Sequence, residues 1–382
     1  MIRDEQTLAS LTDAVARFVR ETLVPLEEEV TRTDHIPSDV IQIMREMGLF
    51  GMTIPEEYGG LGLMVEEEVR VVFELGRTSP AFRSVIGTNN GIGSMGLVIA
   101  GNESQKEHYL PRLASGEMIS SFALTEPEAG SDAASLRTSA RKEGHDWVLN
   151  GTKRFITNAP EAGLFTIYAR TGAEGAEGIS AFLVEAGTSG LILGAPDRKM
   201  GQKGAHTCDV ILDNCRVPSS AMLGEPGKAF RTAMQTLDRG RLHISALCVG
   251  IAERLIVDAA RYAKERKQFG RPIADFQLIQ AMLADSRMEA YAARCMVIDA
   301  ARRIDEGERI TSEAACCKLF ASEMVGRVAD RAVQIHGGAG YMAEYAVERF
   351  YRDVRLFRIY EGTSQIQQLV IARNLLSSVE AA

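Results

Sequence analysis

Trp147-Val-Leu-Asn150, Phe165-Thr-Ile-Tyr-Ala169, Ile179-Ser-Ala-Phe-Leu-Val184 and Val210-Ile-Leu212 punctuate a stretch, residues 119–226, in which the apolar spacing falls to two. Glycine and charged turns separate these runs. Alternation of that period puts successive side chains on opposite faces of a strand, so the stretch predicts a small, mostly antiparallel β domain. Upstream, over 1–118, the spacing is helical around Val40 to Met47, Val65 to Leu75 and Gln105 to Leu113, with Pro- and Gly-bearing loops between. Downstream, over 227–382, the Ala- and Leu-rich segments Ile244 to Glu265, Gln277 to Asp305 and Thr311 to Ile335 predict a four-helix bundle. Helices, strands, then helices make an α+β chain: an N-terminal helical domain, a central antiparallel β domain and a C-terminal bundle. The order excludes the alternating βα units of a doubly wound nucleotide fold.

Composition narrows the function. With 382 residues, 46% of them hydrophobic and 25% charged, the chain can bury a large core. A net charge of -8 disfavours nucleic acid and anionic membranes as partners. The local basic run Arg261 to Lys267 reads as a solvated helix face or as a pyrophosphate contact. Cys208, Cys215, Cys248, Cys295, Cys316 and Cys317 show neither Cys-x-x-Cys nor zinc spacing, which predicts reduced thiols packed in the core. Leu8, Leu11, Val15, Phe18, Val19 and Leu23 share one helix face, unlike a signal peptide, and no apolar run is long enough to cross a bilayer. A cytoplasmic protein is expected. The histidines form no metal-binding spacing, and Gly-x-Ser-x-Gly is absent, so neither a catalytic metal nor a serine hydrolase is expected. The glycine runs Gly59-Gly-Leu-Gly62 and Gly337-Gly-Ala-Gly340 follow no strand and lack Gly-x-Gly-x-x-Gly spacing, so they read as turns.

Near the C-terminus, Ile359-Tyr360-Glu361-Gly362-Thr363-Ser364-Gln365 sets a single carboxylate between an aromatic ring and a flexible glycine. Bulky neighbours desolvate such a carboxylate and raise its proton affinity, which suits a base. This run has distant companions in Phe122-Ala-Leu-Thr-Glu-Pro-Glu-Ala-Gly-Ser-Asp132, Asn150-Gly-Thr-Lys-Arg-Phe-Ile-Thr-Asn158 and Pro55-Glu-Glu-Tyr-Gly-Gly-Leu-Gly62. Together they resemble the acyl-CoA dehydrogenase family over almost the whole chain.

The resemblance implies FAD as cofactor and an acyl-CoA thioester as substrate. Removing two hydrogens from a Cα–Cβ bond needs a base for the α proton and an acceptor for the β hydride, and no side chain accepts hydride. Glu361 is then the base. The family's other base position falls on Gly240, in Leu237-Asp238-Arg239-Gly240-Arg241, which takes no proton. For the flavin the resemblance implies Phe122, Leu124, Thr125, Gly130, Ser131, Phe155 and Thr157, with Phe155 standing where the family commonly has Trp. Arg266 and Phe269 of Arg266-Lys-Gln-Phe-Gly270, with Gln334, Gly337 and Gly338, would reach the FAD of a neighbouring subunit, so a homo-oligomer, and by family a tetramer, is expected. Thr363 and Gln365 match further FAD contacts.

For the substrate, the resemblance implies Arg241, Phe230, Asp238, Tyr360 and Gly362. Asp238 stands near the expected start of a helix, as a cap or a pantetheine contact. The floor of the acyl cavity would include Ser84 to Ser94, with Ser84 and Thr88. Its small and polar residues, two asparagines among them, point to short, branched or polar acyl groups. Arg83 matches the place where glutaryl-CoA dehydrogenases hold a distal carboxylate, so a dicarboxylic acyl-CoA is the alternative substrate. A flavin oxidase or monooxygenase on the same scaffold and a non-catalytic binding protein are the alternatives of other classes. Electron-transfer flavoprotein is the partner the family implies.

Overall fold

The computed structural model describes residues 2–380. The N-terminal part holds seven α-helices: α1 (Glu5–Phe18), α2 (Val24–Thr33), α3 (Ser38–Glu46), α4 (Val65–Leu75), α5 (Pro80–Asn90), α6 (Met95–Ala100) and α7 (Glu103–Ala114). Asp4 starts α1 by accepting the backbone N–H groups of Gln6 and Thr7. The single helix expected through Leu23 instead loosens into a π-turn at Val19–Leu23 and resumes as α2. Pro25 is the cause, because it has no N–H to continue the ladder.

α4 joins the N-terminal part to the C-terminal bundle. Val65, Val69, Val72 and Phe73 enter the bundle core, while Val71 and Leu75 enter the core beneath α1 to α3. Its three consecutive glutamates are all buried, and each is paired: Glu66 with Arg70 and Arg302, Glu67 with Arg3, and Glu68 with Arg239 and His243. Asp305 accepts the N–H groups of Val65 and Glu66, placing a carboxylate on the positive end of α4.

The central domain is an eight-stranded sheet of β1 (Ser120–Ala123), β2 (Ser139–Glu143), β3 (Asp146–Thr157), β4 (Leu164–Arg170), β5 (Ile179–Glu185), β6 (Leu191–Leu193), β7 (Thr207–Pro218) and β8 (Met222–Leu223). The strand order is β6-β7-β3-β2-β4-β5-β8, and β1 lies parallel to β4. Apart from a parallel β2–β4 contact at Ser139 and Arg170, the remaining pairings are antiparallel. β3 shifts register against β7 between Lys153 and Ile156, and there Phe155 takes a left-handed φ of 58°.

α8 (Ala229–Glu265) begins the bundle, a short hairpin of β9 (Lys267–Gln268) and β10 (Arg271–Pro272) follows, and α9 (Gln277–Asp305), α10 (Thr311–His336), α11 (Ala346–Val354) and α12 (Ser364–Glu380) complete it. The bundle interior is lined by alanines such as Ala252, Ala293, Ala321 and Ala329, which let the long helices approach closely. Both glycine runs form turns, with left-handed φ at Gly59, Gly62 and Gly337. Among the described residues no helix is long and apolar enough to cross a membrane, and no cluster of His, Cys, Asp or Glu could hold a metal ion.

Candidate active site

One cavity lies where the β domain, α5, α8 and the segment 356–366 meet. Phe122, Leu124, Thr125, Gly130, Ser131, Phe155 and Thr157 line it from the β domain. Arg83, Ser84, Thr88, Arg241, Tyr360, Glu361 and Gly362 line it from the helices and the C-terminal segment. Residues nearly 280 positions apart in sequence therefore share one space.

Glu361 is the chemical centre of this space. Its backbone is left-handed, at φ 55°, a strained conformation for a residue with a Cβ. Three contacts hold it there: Gln367 Nε2 donates to the carbonyls of Glu361 (3.1 Å) and Gly362 (3.0 Å), and Lys318 Nζ donates to the Gly362 carbonyl at 2.7 Å. Gln202 (φ 52°) and Phe155 also line the cavity on left-handed backbone, so strain gathers at this site. Glu361 Oε2 is buried and has no hydrogen-bond partner. Burial pushes the carboxyl above the ordinary range, while Arg83, Arg241 and Lys318 pull it back down. Burial also lowers the Lys318 ammonium to about 8.

The helix beside the carboxylate is shaped to receive it. A Cβ built at Gly240 would stand 2.6 Å from Glu361 Oε2. Glycine at 240 and glutamate at 361 are thus sterically coupled. Next to it, Arg241 is buried and held by Asp238 at 2.6 Å, and Asp238 in turn accepts from Thr311 Oγ1 at 2.9 Å.

The Thr125-Glu126-Pro127 loop is fixed from below. Glu126 is buried and accepts from Arg137 N, Thr138 N and the wholly buried Lys153 Nζ (2.7 Å), which also donates to the Leu124 carbonyl. Burial works against the Glu126 carboxylate, but Lys153 and these donors hold it below the usual range, while burial lowers Lys153 to about 8. Lys153→Met strips a buried carboxylate of its counter-charge and is expected to cost about 3 kcal/mol. The expected readout is a lower melting temperature together with loss of bound flavin; an unchanged melting curve contradicts this account of the loop.

Several expectations need correction. Asn89 and Asn90 do not face an acyl chain. Asn89 bonds the carbonyls of Leu113 and Met118 and the N–H of Ser120, and Asn90 bonds the carbonyls of Leu49 and Ile86, so both amides are spent on fixing loops. Asp238 caps no helix, because α8 begins at Ala229, and it braces Arg241 instead. Asp238 and Phe230 are outside the cavity lining, and Phe230 packs against the cluster that contains Leu97 and Leu183. Cys295 is exposed rather than packed in the core, and Cys316 is half-buried. Arg266, Phe269, Gln334, Gly337 and Gly338, expected at a neighbouring subunit's FAD and not in this cavity, do not line it; nor do Thr363 and Gln365. Phe269 is 92% exposed at the tip of the β9–β10 hairpin, and Gln334, Gly337 and Gly338 are exposed at the end of α10.

The cavity also contains residues with no local signal in the sequence: Lys199, Gln202, Met234, Leu237 and Ile366. Lys318, which holds the Gly362 carbonyl from outside the lining, had one: it falls in the apolar run Ala314-Ala-Cys-Cys-Lys318-Leu-Phe, where a charge is out of place.

The cavity sets Glu361 and the hydroxyl- and glycine-bearing loop of the β domain in one space, the arrangement expected of a flavin-dependent dehydrogenase. The chain belongs to the acyl-CoA dehydrogenase family. Residues 5–117 match the acyl-CoA dehydrogenase N-terminal domain, residues 121–215 the middle domain and residues 227–376 the C-terminal domain. It is an FAD-dependent oxidoreductase of that family. Among curated relatives it is 42% identical to a 3-(aryl)acrylate reductase of Clostridium sporogenes, over 94% of this chain and 96% of the relative. It is also 42% identical to the caffeyl-CoA reductase-Etf complex subunit CarC of Acetobacterium woodii, over 94% of each. Among solved structures, butyryl-CoA dehydrogenase from Megasphaera elsdenii superposes with a TM-score of 0.95 at 36% identity, covering 98% of this chain and 100% of that one. An acyl-CoA dehydrogenase complexed with FAD from Bacillus anthracis gives 0.92 at 35% identity, covering 99% of this chain and 68% of that one.

Proposed function

We propose that this protein dehydrogenates an acyl-CoA thioester to the trans-2-enoyl-CoA, with Glu361 as the base that removes the α proton. The observation that carries the reading is Glu361 Oε2, buried, unpartnered and held on strained backbone in the shared cavity. A carboxylate with a free lone pair in a desolvated site is a stronger base than one in water.

The β-domain wall fits a flavin. Nothing lies within 4 Å of a Cβ built at Gly130, so a ligand can reach that backbone; Thr125 and Ser131 offer hydroxyl donors; and Phe155, 59% exposed, presents a ring in need of cover. FAD bound there supplies the acceptor for the β hydride. The protein's own part is to orient and to move the proton: Glu361 Oε2 takes it, Arg241 sits by Gly362 at the thioester end of the cavity, and Tyr360 and Leu237 exclude water.

For Arg266, Phe269, Gln334, Gly337 and Gly338, exposed and apart from the cavity, contact with a neighbouring subunit's FAD is the fitting role. The exposed apolar side chains Phe269, Leu278, Tyr341 and Met342 support an oligomer, by family a tetramer. The relative named as part of an Etf complex favours electron-transfer flavoprotein as the redox partner.

The acyl end is lined by Arg83, Ser84, Gly87, Thr88 and Ile92, which favours short, branched or polar acyl groups. In assays with a dye acceptor, butyryl-, isobutyryl- or 2-methylbutyryl-CoA is expected to exceed octanoyl-CoA in kcat/KM by at least about tenfold. A preference for octanoyl-CoA overturns this assignment of chain length. Glutaryl-CoA activity that falls in Arg83→Ala would move the assignment to dicarboxylic thioesters.

A further inference from the structure

Three helices converge on the charge nearest the acyl end. Arg83 lies on α5, His243 on α8 and Glu68 on α4. Arg83 Nε donates to His243 Nε2 at 2.6 Å, and His243 Nδ1 meets Glu68 Oε1 at 2.6 Å. His243 is 3% exposed and Glu68 1%.

Arginine only donates, so His243 Nε2 must be the bare, accepting nitrogen and the ring's one proton must sit on Nδ1, facing Glu68. The hydrogen bonds alone therefore require a neutral imidazole of a single tautomer. Consistently, burial and then Arg83 push His243 down to about 4. Glu68 does not depend on the histidine for its counter-charge, because Arg239 donates to Oε2 from Nε at 3.2 Å and from Nη2 at 3.0 Å.

Gly87 completes the arrangement. One turn along α5 from Arg83, a Cβ at 87 would lie 2.8 Å from the guanidinium carbon, so the missing side chain leaves the groove in which the guanidinium rests. With Nε committed to His243, Arg83 lines the cavity that holds Glu361, and its charge bears on that carboxylate. The charged groups bearing on Glu361 are Arg83 from α5, Arg241 from α8 and Lys318 from α10, with the Tyr360 phenol and Cys248 nearby. Arg241 is tied by Asp238 and Lys318 by the Gly362 carbonyl. Arg83 is tied through His243.

We infer that His243 is a positioning residue: neutral because Arg83 donates to its Nε2, and oriented by Glu68 at its Nδ1, it pins the Arg83 charge beside Glu361 and so keeps the base ionised at working pH. The inference rests on the reading of Glu361 as the base. It assigns a role in the proton-transfer step to a side chain that touches neither substrate nor cofactor.

The test is the pH dependence of anaerobic flavin reduction at saturating butyryl-CoA, in the full-length FAD-loaded enzyme. The rate falls as pH drops through the pKa of the base, because only the carboxylate accepts a proton. Loss of a fixed positive charge raises that pKa, so the acid limb moves to higher pH. Arg83→Gln is expected to shift it by about one unit, lowering the rate about tenfold below the limb relative to the variant's own alkaline plateau. His243→Leu is expected to shift the limb the same way by about half a unit, and the double variant no further than Arg83→Gln alone. His243→Gln, whose amide can both accept from Arg83 and donate to Glu68, restores the wild-type limb. FAD content in each variant reports folding independently of the limb. A wild-type limb in either Arg83→Gln or His243→Leu, with flavin retained, overturns the inference. Flavin reduction that survives in Glu361→Gln instead overturns the reading of Glu361, whatever the limbs do.

Discussion

Glu361→Gln is expected to keep its FAD and lose about a thousandfold in the rate of flavin reduction by an acyl-CoA. Glutamine preserves the shape of the side chain, so the backbone contacts from Gln367 and Lys318 to residues 361 and 362 stay in place. What disappears is the unpartnered Oε2 that takes the proton. The site offers no ready substitute, because Gly240 occupies the neighbouring position on α8 and Asp238 is committed to Arg241 and Thr311. Stopped-flow absorbance of the flavin measures the effect, and a rate within tenfold of wild type would assign the base elsewhere.

Gly240→Ala is the second large effect, and its cause is steric. The added methyl would stand 2.6 Å from Oε2, closer than side-chain contacts permit. The flexible end of Glu361 is the part free to move, so the protein is expected to fold and bind FAD while its carboxylate swings away from the α carbon. Misplacement on the order of 1 Å costs roughly a hundredfold in rate. The expected signature is a fall in the limiting rate of flavin reduction with little change in the butyryl-CoA concentration that saturates it. An unchanged rate shows that the carboxylate has another productive position. Taken together, the two variants separate the chemistry of Glu361 from the room that α8 makes for it.

The fold was legible because burial on one face leaves a periodic trace. The Val65 to Leu75 and Gln277 to Asp305 segments appear as α4 and α9 with the expected ends, and the run Val210-Ile-Leu212 falls within β7, where buried and half-buried side chains alternate. The π-turn at Val19–Leu23 escaped because a helix-spaced apolar face continues through it, and only Pro25 marks the change. The start of α8 was misplaced by nine residues for a related reason: its first turns from Ala229 are exposed or half-buried on several sides and show weak apolar spacing.

The site was legible where its chemistry is written in contiguous residues. Thr125, Ser131, Phe155 and Glu361 sit in short runs of unusual composition, and the structure brings them into one cavity. What escaped acts across distance. Lys153 against Glu126, Lys318 against the Gly362 carbonyl, and His243 between Arg83 and Glu68 are pairings over 27, 44, 160 and 175 positions, which no local pattern reports. The asparagines misled for the opposite reason. Polar residues in a stretch expected to line a pocket looked like specificity, and they are buried hydrogen-bonding posts between loops.

The central claim is that this cavity carries out dehydrogenation of an acyl-CoA. It is tested most directly by anaerobic titration of the purified, FAD-loaded wild-type protein with butyryl-CoA, following the oxidised-flavin absorbance and the thioester by mass spectrometry. The expected result is bleaching of the flavin with formation of a thioester two mass units lighter, one per flavin reduced. A flavin that stays oxidised with butyryl-CoA and with every branched or longer thioester added after it contradicts the account.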